Sequence, residues 1–293
     1  MFRERMRISV VIPNLNSPII DRVVQAVLNQ GDEEITIWVV GQDRYGKIPS
    51  HPLVHTLITP NPVSPGEARN LGAERSQADL LIFLDADCIP QSGWLRALVE
   101  TWKVHLDAGA ISGAMLPYSS NFVRNCEQIA RFHEYIYTNH FEERDVLASF
   151  SLLVPYEAWK SVGGFDPRLW LTEDLDFTLR LRSHGWKLLF EPRAVVYHEP
   201  NRENIIDFLS YARQNGSYSI RTRLRYAGFY RVSFWMHWAW FWVLASPLIA
   251  FLRTFQIYIH TPGLWRYGCC GPLVFLHKMA WCLGAADGLR RVS

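Results

Sequence analysis

Asp85 and Asp87 stand two residues apart directly after the apolar run Leu80–Leu84. Carboxylates at the edge of a core need a cationic or hydrogen-bonding partner. Two acids on one turn offer oxygen ligands to a hard divalent cation such as Mg2+ or Mn2+. The local alternative is that Asp85 closes a turn while Asp87 caps the helix near Gly93. A second acidic set, Glu173, Asp174 and Asp176, follows Thr172 where a helix start is predicted. The helix dipole favours ionised carboxylates there, and the same placement suits a general base held on a rigid element. His198, in Tyr197-His198-Glu199, either completes a cation site with the carboxylates or is an ordinary packing residue.

The elements that must position these groups alternate between short β-branched runs and segments of helical period. Residues 8–12 read as a first strand, 19–29 as a helix, 35–40 as a second strand and Val54–Ile58 as a third. Ser64, Pro65 and Glu67 form a helix-start signature with a capping box. Leu80–Leu84 is the next strand, which places Asp85 and Asp87 at its carboxyl end, the edge where open α/β sheets bind ligands. A helix over 93–105, a strand over 110–116, a longer helix over 122–137 and a strand over 194–197 carry the domain to at least Glu199.

The 293 residues carry 30 basic and 28 acidic side chains, a net charge of +2, which gives no electrostatic footprint for nucleic acid. The five cysteines, Cys88, Cys126, Cys269, Cys270 and Cys282, lack CxxC spacing, so neither a disulfide framework nor a zinc site is indicated and a reducing cytosol fits. The apolar run at the N-terminus is too short for a signal-peptide core. In contrast, residues 232–252 contain no Asp, Glu, Lys or Arg, a length that matches a bilayer core of roughly 30 Å.

Four segments in order, ISVVIPNLN from Ile8, SPGEARNLGAERSQADLLIFLDADC from Ser64, GGFDPRLWLTEDLDFTLRLRSHGW from Gly163 and FEPRAVVYHE from Phe190, resemble family 2 glycosyltransferases. These are inverting nucleotide-sugar enzymes of GT-A fold, and the resemblance covers about residues 8–199. It implies an α/β fold with a Rossmann-like, mixed but mainly parallel sheet and flanking helices, followed by an apolar helical appendage. The expected division is a catalytic domain over 1–225 and a membrane-associated region over 226–293. The resemblance further implies that Asp85 and Asp87 are the DXD pair, with Asp87 and His198 on the cation and Asp85 at the ribose or the cation. Pro13, Asn14, Asp43, Arg69, Gly163 and Gly164 are then nucleotide-sugar-binding positions. Asp174 matches the catalytic base, with Glu173 orienting its loop. The cofactor implied is Mg2+ or Mn2+, and the donor a nucleotide-diphosphate sugar.

Two departures bear on specificity. Strand two ends in Gly41 and Gln42, with Asp43 later, where the family commonly has paired acids that read the base. Gln214 is followed by Asn-Gly-Ser-Tyr rather than the QxxRW pattern of processive members, so a single transfer is expected. Arg213, Arg221, Arg223, Arg225 and Arg231 lead into the apolar run, which suits a cytosolic membrane face, as a peripheral helix or a single span, and a lipid or lipid-linked acceptor. Pro247 and His237 favour the alternative of a buried helix or hairpin, an in-plane helix being a further alternative to a span, and 271–288, interrupted by His277 and Lys278, is expected to dock on the membrane surface. The competing functions are a non-catalytic GT-A-like scaffold and a nucleotidyltransferase; the latter lacks a glycine-rich basic loop near strand one.

Overall fold

The computed structural model describes residues 6–31, 35–116, 121–199, 204–230 and 233–290; Arg231 and Val232, at the head of the apolar run, lie outside them. In chain order the first elements are β1 (Ile8–Leu15), α1 (Ile20–Leu28), β2 (Ile35–Gln42), β3 (Val54–Ile58), α2 (Pro65–Ser76), β4 (Leu80–Leu84), β5 (Cys88–Pro90), α3 (Trp94–Val104) and β6 (Ala108–Leu116). They are followed by α4 (Phe122–Phe132), β7 (Glu142–Glu143), β8 (Ser151–Pro155), α5 (Tyr156–Ser161), α6 (Glu173–Ser183) and β9 (Lys187–His198). The last helices are α7 (Ile205–Arg225), α8 (Ala239–His260) and α9 (Gly271–Arg290). Contacts divide the chain into residues 1–116 with 140–199 and residues 117–139 with 200–293, so α4 and α7, both within the catalytic domain expected over 1–225, group with the C-terminal helices.

The first unit holds a mixed sheet of order β3-β2-β1-β4-β8-β6-β9-β5, with β7 on β9. Pairing is parallel from β3 through β4 and between β6 and β9. It is antiparallel where β8 lies between β4 and β6, and where β5 and β7 meet β9. The antiparallel half is more extensive than the strand–helix alternation predicts. Its key strand, β8, is the buried run Ser-Leu-Leu-Val-Pro, which has no alternation to announce it. All five residues of β4 are fully buried, so the chain meets water only as it leaves the strand at Asp85.

α2 starts as its sequence predicts: the Ser64 hydroxyl accepts the Glu67 N–H at 3.1 Å, with Pro65 at the first helical position. Its buried face is made of Gly66, Ala68, Arg69, Gly72 and Ala73 rather than large apolar residues. A Cβ on Gly72 would stand 2.4 Å from Val11 Cγ1, so this glycine brings the helix backbone down onto β1. Arg69, three residues earlier on the same face, is thereby buried over the strand ends.

The second unit is helical. α7 and α9 cross closely at glycines: a Cβ on Gly216 would lie 2.0 Å from the Trp281 carbonyl oxygen, and one on Gly284 1.8 Å from that of Arg213. Gly288, four residues after Gly284, similarly meets the Ser217 carbonyl. The polar residues that interrupt the α9 sequence are used inside the unit rather than presented outward. His277 is buried and stacks on Phe208 at 4.8 Å, and the Lys278 amino group donates to the Ala130 carbonyl at 2.6 Å. α8 continues unbroken through Pro247, with the Ser246 hydroxyl donating to the Val243 carbonyl that proline cannot serve.

Candidate active site

The turn after β4 is built by the Asp85 carbonyl, which accepts the Cys88 N–H at 3.0 Å, while the Asp85 N–H donates to the Phe150 carbonyl of the segment before β8. The Asp85 carboxylate meets Arg69 Nη2 at 2.7 Å, and Arg69 Nη1 meets the Glu173 carboxylate at 2.7 Å. One buried guanidinium therefore joins the acid at the end of β4 to the acid that starts α6. It is clamped between two protein carboxylates, and its Nε is buried with no hydrogen-bond partner. Gly66 leaves the room for this meeting, since a Cβ there would stand 3.0 Å from Phe165 Cβ and 3.5 Å from Glu173 Cβ.

Thr172 enters α6 at φ +66°, a left-handed conformation that a β-branched residue adopts only when its surroundings over-determine it, at a cost of about 1–3 kcal/mol. Its side chain makes no cap, so the helix start is carried by the acids. The Asp174 carboxylate accepts the N–H of Leu175 at 2.8 Å. Burial pushes its pKa above the ordinary carboxylate value, against the opposing pull of Arg69. Glu173 is pushed up to about 7, first by burial and then by the charge of Asp174, with Arg69 again opposing. Asp176 pairs with Arg180 at 2.8 Å one helical turn on, and Arg180 also ties the helix to the Val162 carbonyl. Asp176 is thus a structural residue.

His198 reaches the site because β5 and β9 pair antiparallel with Cys88 opposite His198, and the Glu199 N–H donates to the Asp87 carbonyl at 2.8 Å. His198 Nε2 stands 3.4 Å from Asp87 Oδ2. A carboxylate oxygen of Asp87, the Cys88 sulfur and a His198 ring nitrogen all lie within 4.8 Å of one another. That donor set fits a divalent cation. Asp87 makes no helix cap: α3 begins at Trp94 after Gly93, without a side-chain cap, which removes the local alternative for this residue.

Asn14 and Asp43, two of the expected nucleotide-binding positions, hydrogen-bond within their own loops. Asn14 is buried; its amide donates to the Gln42 carbonyl at 2.8 Å and accepts the Ser17 N–H at 3.0 Å. Ser17, which the motif reading passes over, then donates to the Ala86 carbonyl at 2.7 Å and pins the loop after β1 to the acid turn. Pro13 lies within β1 opposite Val40. Asp43 Oδ2 accepts the Ile48 N–H at 2.9 Å, while its Oδ1 is buried without a partner. Gly163 and Gly164 have φ of +73° and +71°, and a Cβ on Gly164 would stand 2.5 Å from Asn70 Oδ1. Asn70 exchanges two hydrogen bonds with the Phe165 backbone, so this glycine turn docks on α2 beside Arg69.

Residues 5–217 match the family described as Glycosyltransferase like family 2. A pre-mycofactocin glycosyltransferase of Mycobacterium tuberculosis (strain CDC 1551 / Oshkosh) is 26% identical over 171 residues, covering 55% of this chain and 35% of that protein. Glycosyltransferase AglE of Haloferax volcanii is 28% identical over 131 residues, covering 45% and 43%. The chain thus spans less than half the length of these relatives. Among solved structures, the mannosyltransferase PcManGT from Pyrobaculum calidifontis, in complex with GDP-Man and Mn2+, aligns with a TM-score of 0.59 at 16% identity, over 94% of this chain and 86% of that one. GalNAc-T7 with UDP, GalNAc and Mn2+ aligns with a TM-score of 0.54 at 18% identity, over 68% and 44%. These likenesses establish the GT-A fold. With the family match over most of its length, this chain belongs to glycosyltransferase family 2.

Proposed function

We propose that the protein is a metal-dependent, inverting glycosyltransferase that makes a single transfer from a nucleotide-diphosphate sugar to an acceptor hydroxyl. The observation that carries this reading is Arg69, whose guanidinium binds Asp85 and Glu173 at once and so holds both acidic clusters on one rim. Asp87 and His198 would hold a divalent cation, with Asp85 beside it at the ribose or the cation. When bound, that cation would offset the charge of the donor diphosphate and of the leaving nucleotide. Mn2+ accompanies the nucleotide or nucleotide sugar in both solved relatives, which supports the cation class.

Asp174 takes the proton of the acceptor hydroxyl as that oxygen attacks the anomeric carbon from the face opposite the leaving group. The upward push of burial on its pKa suits the role, because a carboxylate whose pKa lies closer to neutrality accepts a proton more readily. Glu173 and Arg69 are positioning residues: they fix the entry to α6 and hence the direction of Asp174. Asp43, with one buried unpartnered oxygen, is the strongest candidate for a contact to the donor base from the end of β2.

α8 supports action at a membrane, on a lipid or lipid-linked acceptor. Its 22 residues span about 33 Å, and it turns Leu244, Leu248, Phe251 and Phe255 outward while burying Ser246 and Ala250. The stretch 263–290 also meets the length and composition of a span, so the two together form a candidate hairpin where the sequence suggests one crossing. The cytosolic side is inferred from the basic α7. Part of that basic set also serves the unit's interior: Arg213 pairs with Asp287 at 2.6 Å, and Arg223 lies over the Trp281 ring.

The test is a binding and transfer screen with UDP-, GDP- and dTDP-sugars, each with Mn2+, Mg2+ or chelator. One donor should bind only with metal. Asp174→Asn should keep that binding and lose transfer with the anomeric configuration inverted in the wild type. No donor bound under any condition would favour a non-catalytic scaffold, and transfer retained by Asp174→Asn would refute the base.

A further inference from the structure

The cation site contains a group that neither the acid motif nor the proposed mechanism uses. Cys88 follows Asp87 directly and is fully buried. Its sulfur lies 3.8 Å from Asp87 Oδ1, while Asp87 Oδ2 lies 3.4 Å from His198 Nε2. One carboxylate thus presents an oxygen to the thiol and the other to the imidazole. For ions with M–S near 2.3 Å and M–N or M–O near 2.1 Å, neighbouring tetrahedral ligands stand about 3.3–3.8 Å apart. The two separations, made through different oxygens of Asp87, are of that size, and one carboxylate oxygen, the sulfur and one ring nitrogen lie within 4.8 Å of one another, close enough for one ion to draw them together. The register that pairs Cys88 with His198 across β5 and β9 fixes two members of the set from strands, and Asp87 joins them from the turn that leads directly into β5.

We propose that Cys88 is a third protein ligand of this cation site, making it an oxygen, nitrogen and sulfur site that favours Mn2+, Co2+, Zn2+ or Cd2+ over Mg2+. On binding, the thiol proton passes to solvent and the thiolate donates an electron pair to the ion, with no change of oxidation state. Mg2+ gains little from a soft thiolate and prefers six oxygen ligands, so sulfur at this position discriminates against it. This assignment rests on the reading of Asp87 and His198 as a metal site, and its test is independent of sugar transfer.

The experiment is titration of the full-length purified protein with Co2+, followed by ultraviolet and visible absorption. A thiolate-to-cobalt charge-transfer band should appear in the wild type and disappear in Cys88→Ser and in Asp87→Asn. Cys88→Ser should weaken Cd2+ or Co2+ binding about tenfold or more while changing Mg2+ binding by less than about twofold. The wild-type spectrum does not depend on how well a variant folds, and Cys88→Ala serves as a second variant. A wild type without the band, or a band that survives in correctly folded Cys88→Ser and Cys88→Ala, would overturn the proposal. A protein that transfers sugar with Mn2+ but shows no band would lose the sulfur ligand and keep its function. One that shows the band but binds no donor would lose the function and keep the site.

Discussion

Replacing Arg69 by methionine keeps most of the buried side-chain volume and removes the charge that Asp85 and Glu173 share. Two charge-assisted hydrogen bonds of 2.7 Å are lost. Breaking a buried pair by removing one partner costs about 3–5 kcal/mol. The Glu173 side of the clamp should dominate, because its side chain is 10% exposed whereas that of Asp85 is 34% exposed and can recover water. The loss must also depend on pH. In the wild type the folded-state pKa of Glu173 is raised from 4.5 to about 7, so its contribution to stability is complete below 4.5 and falls as pH rises to about 7. Arg69 opposes that rise, so in Arg69→Met the folded pKa moves higher and the decline continues beyond pH 7. The penalty should therefore be constant between about pH 5 and 7 and then grow by at most about 1.4 kcal/mol per pH unit above 7. Urea unfolding in mild detergent at pH 6, 7.5 and 9, for both proteins, measures it. A penalty below about 1 kcal/mol at pH 9, or one equal at pH 6 and 9, would refute the claim that Arg69 neutralises a buried acid cluster.

Thr172→Gly should relieve the left-handed strain at φ +66° and leave stability within about 1 kcal/mol, since glycine loses more entropy on folding. Turnover should still fall with donor binding preserved, because the entry to α6 is no longer fixed; unchanged turnover would remove Thr172 from the positioning of Asp174. Gly284→Val should destabilise the helical unit by about 3 kcal/mol or more, because its Cβ would stand 1.8 Å from a backbone oxygen that no rotamer change can move. Thermal unfolding in detergent tests this, and a loss under about 1 kcal/mol would show that the α7–α9 crossing yields.

Short-range signals in the sequence are the ones that survive intact. Leu80–Leu84 is five apolar residues that end in an acid, and Ser64 with Pro65 starts a helix through a bond three residues away. Each is decided within one turn or strand. The same holds for Glu173 at the start of α6, although Thr172 does not cap it as its type suggests. What is hidden depends on partners far along the chain. α2 has no apolar stripe because it packs by the absence of side chains, and only Val11 against Gly72 reveals why. α7, read as the end of the catalytic domain, groups with α9 because glycines 68 and more residues apart in sequence fit each other's backbones.

The fate of Asn14 and Cys88 shows why a motif locates a site better than it assigns roles within it. Asn14 is one of the positions that the family resemblance marks, whereas Cys88 only follows one. Asn14 has both ends of its amide engaged, to Gln42 and Ser17, and so shapes the loop after β1. Cys88 carries no motif signal, since a single cysteine has no spacing to read. It becomes a candidate ligand only because an antiparallel pair places residue 198 opposite residue 88. In this sheet the acid turn follows β4 and His198 closes β9, so the environment of a cation held there would be a property of strand order. A sulfur, hydroxyl or amide next to the acid turn would therefore alter metal preference without altering the motif, and the metal selectivity of this chain should follow Cys88 as much as the acids before it.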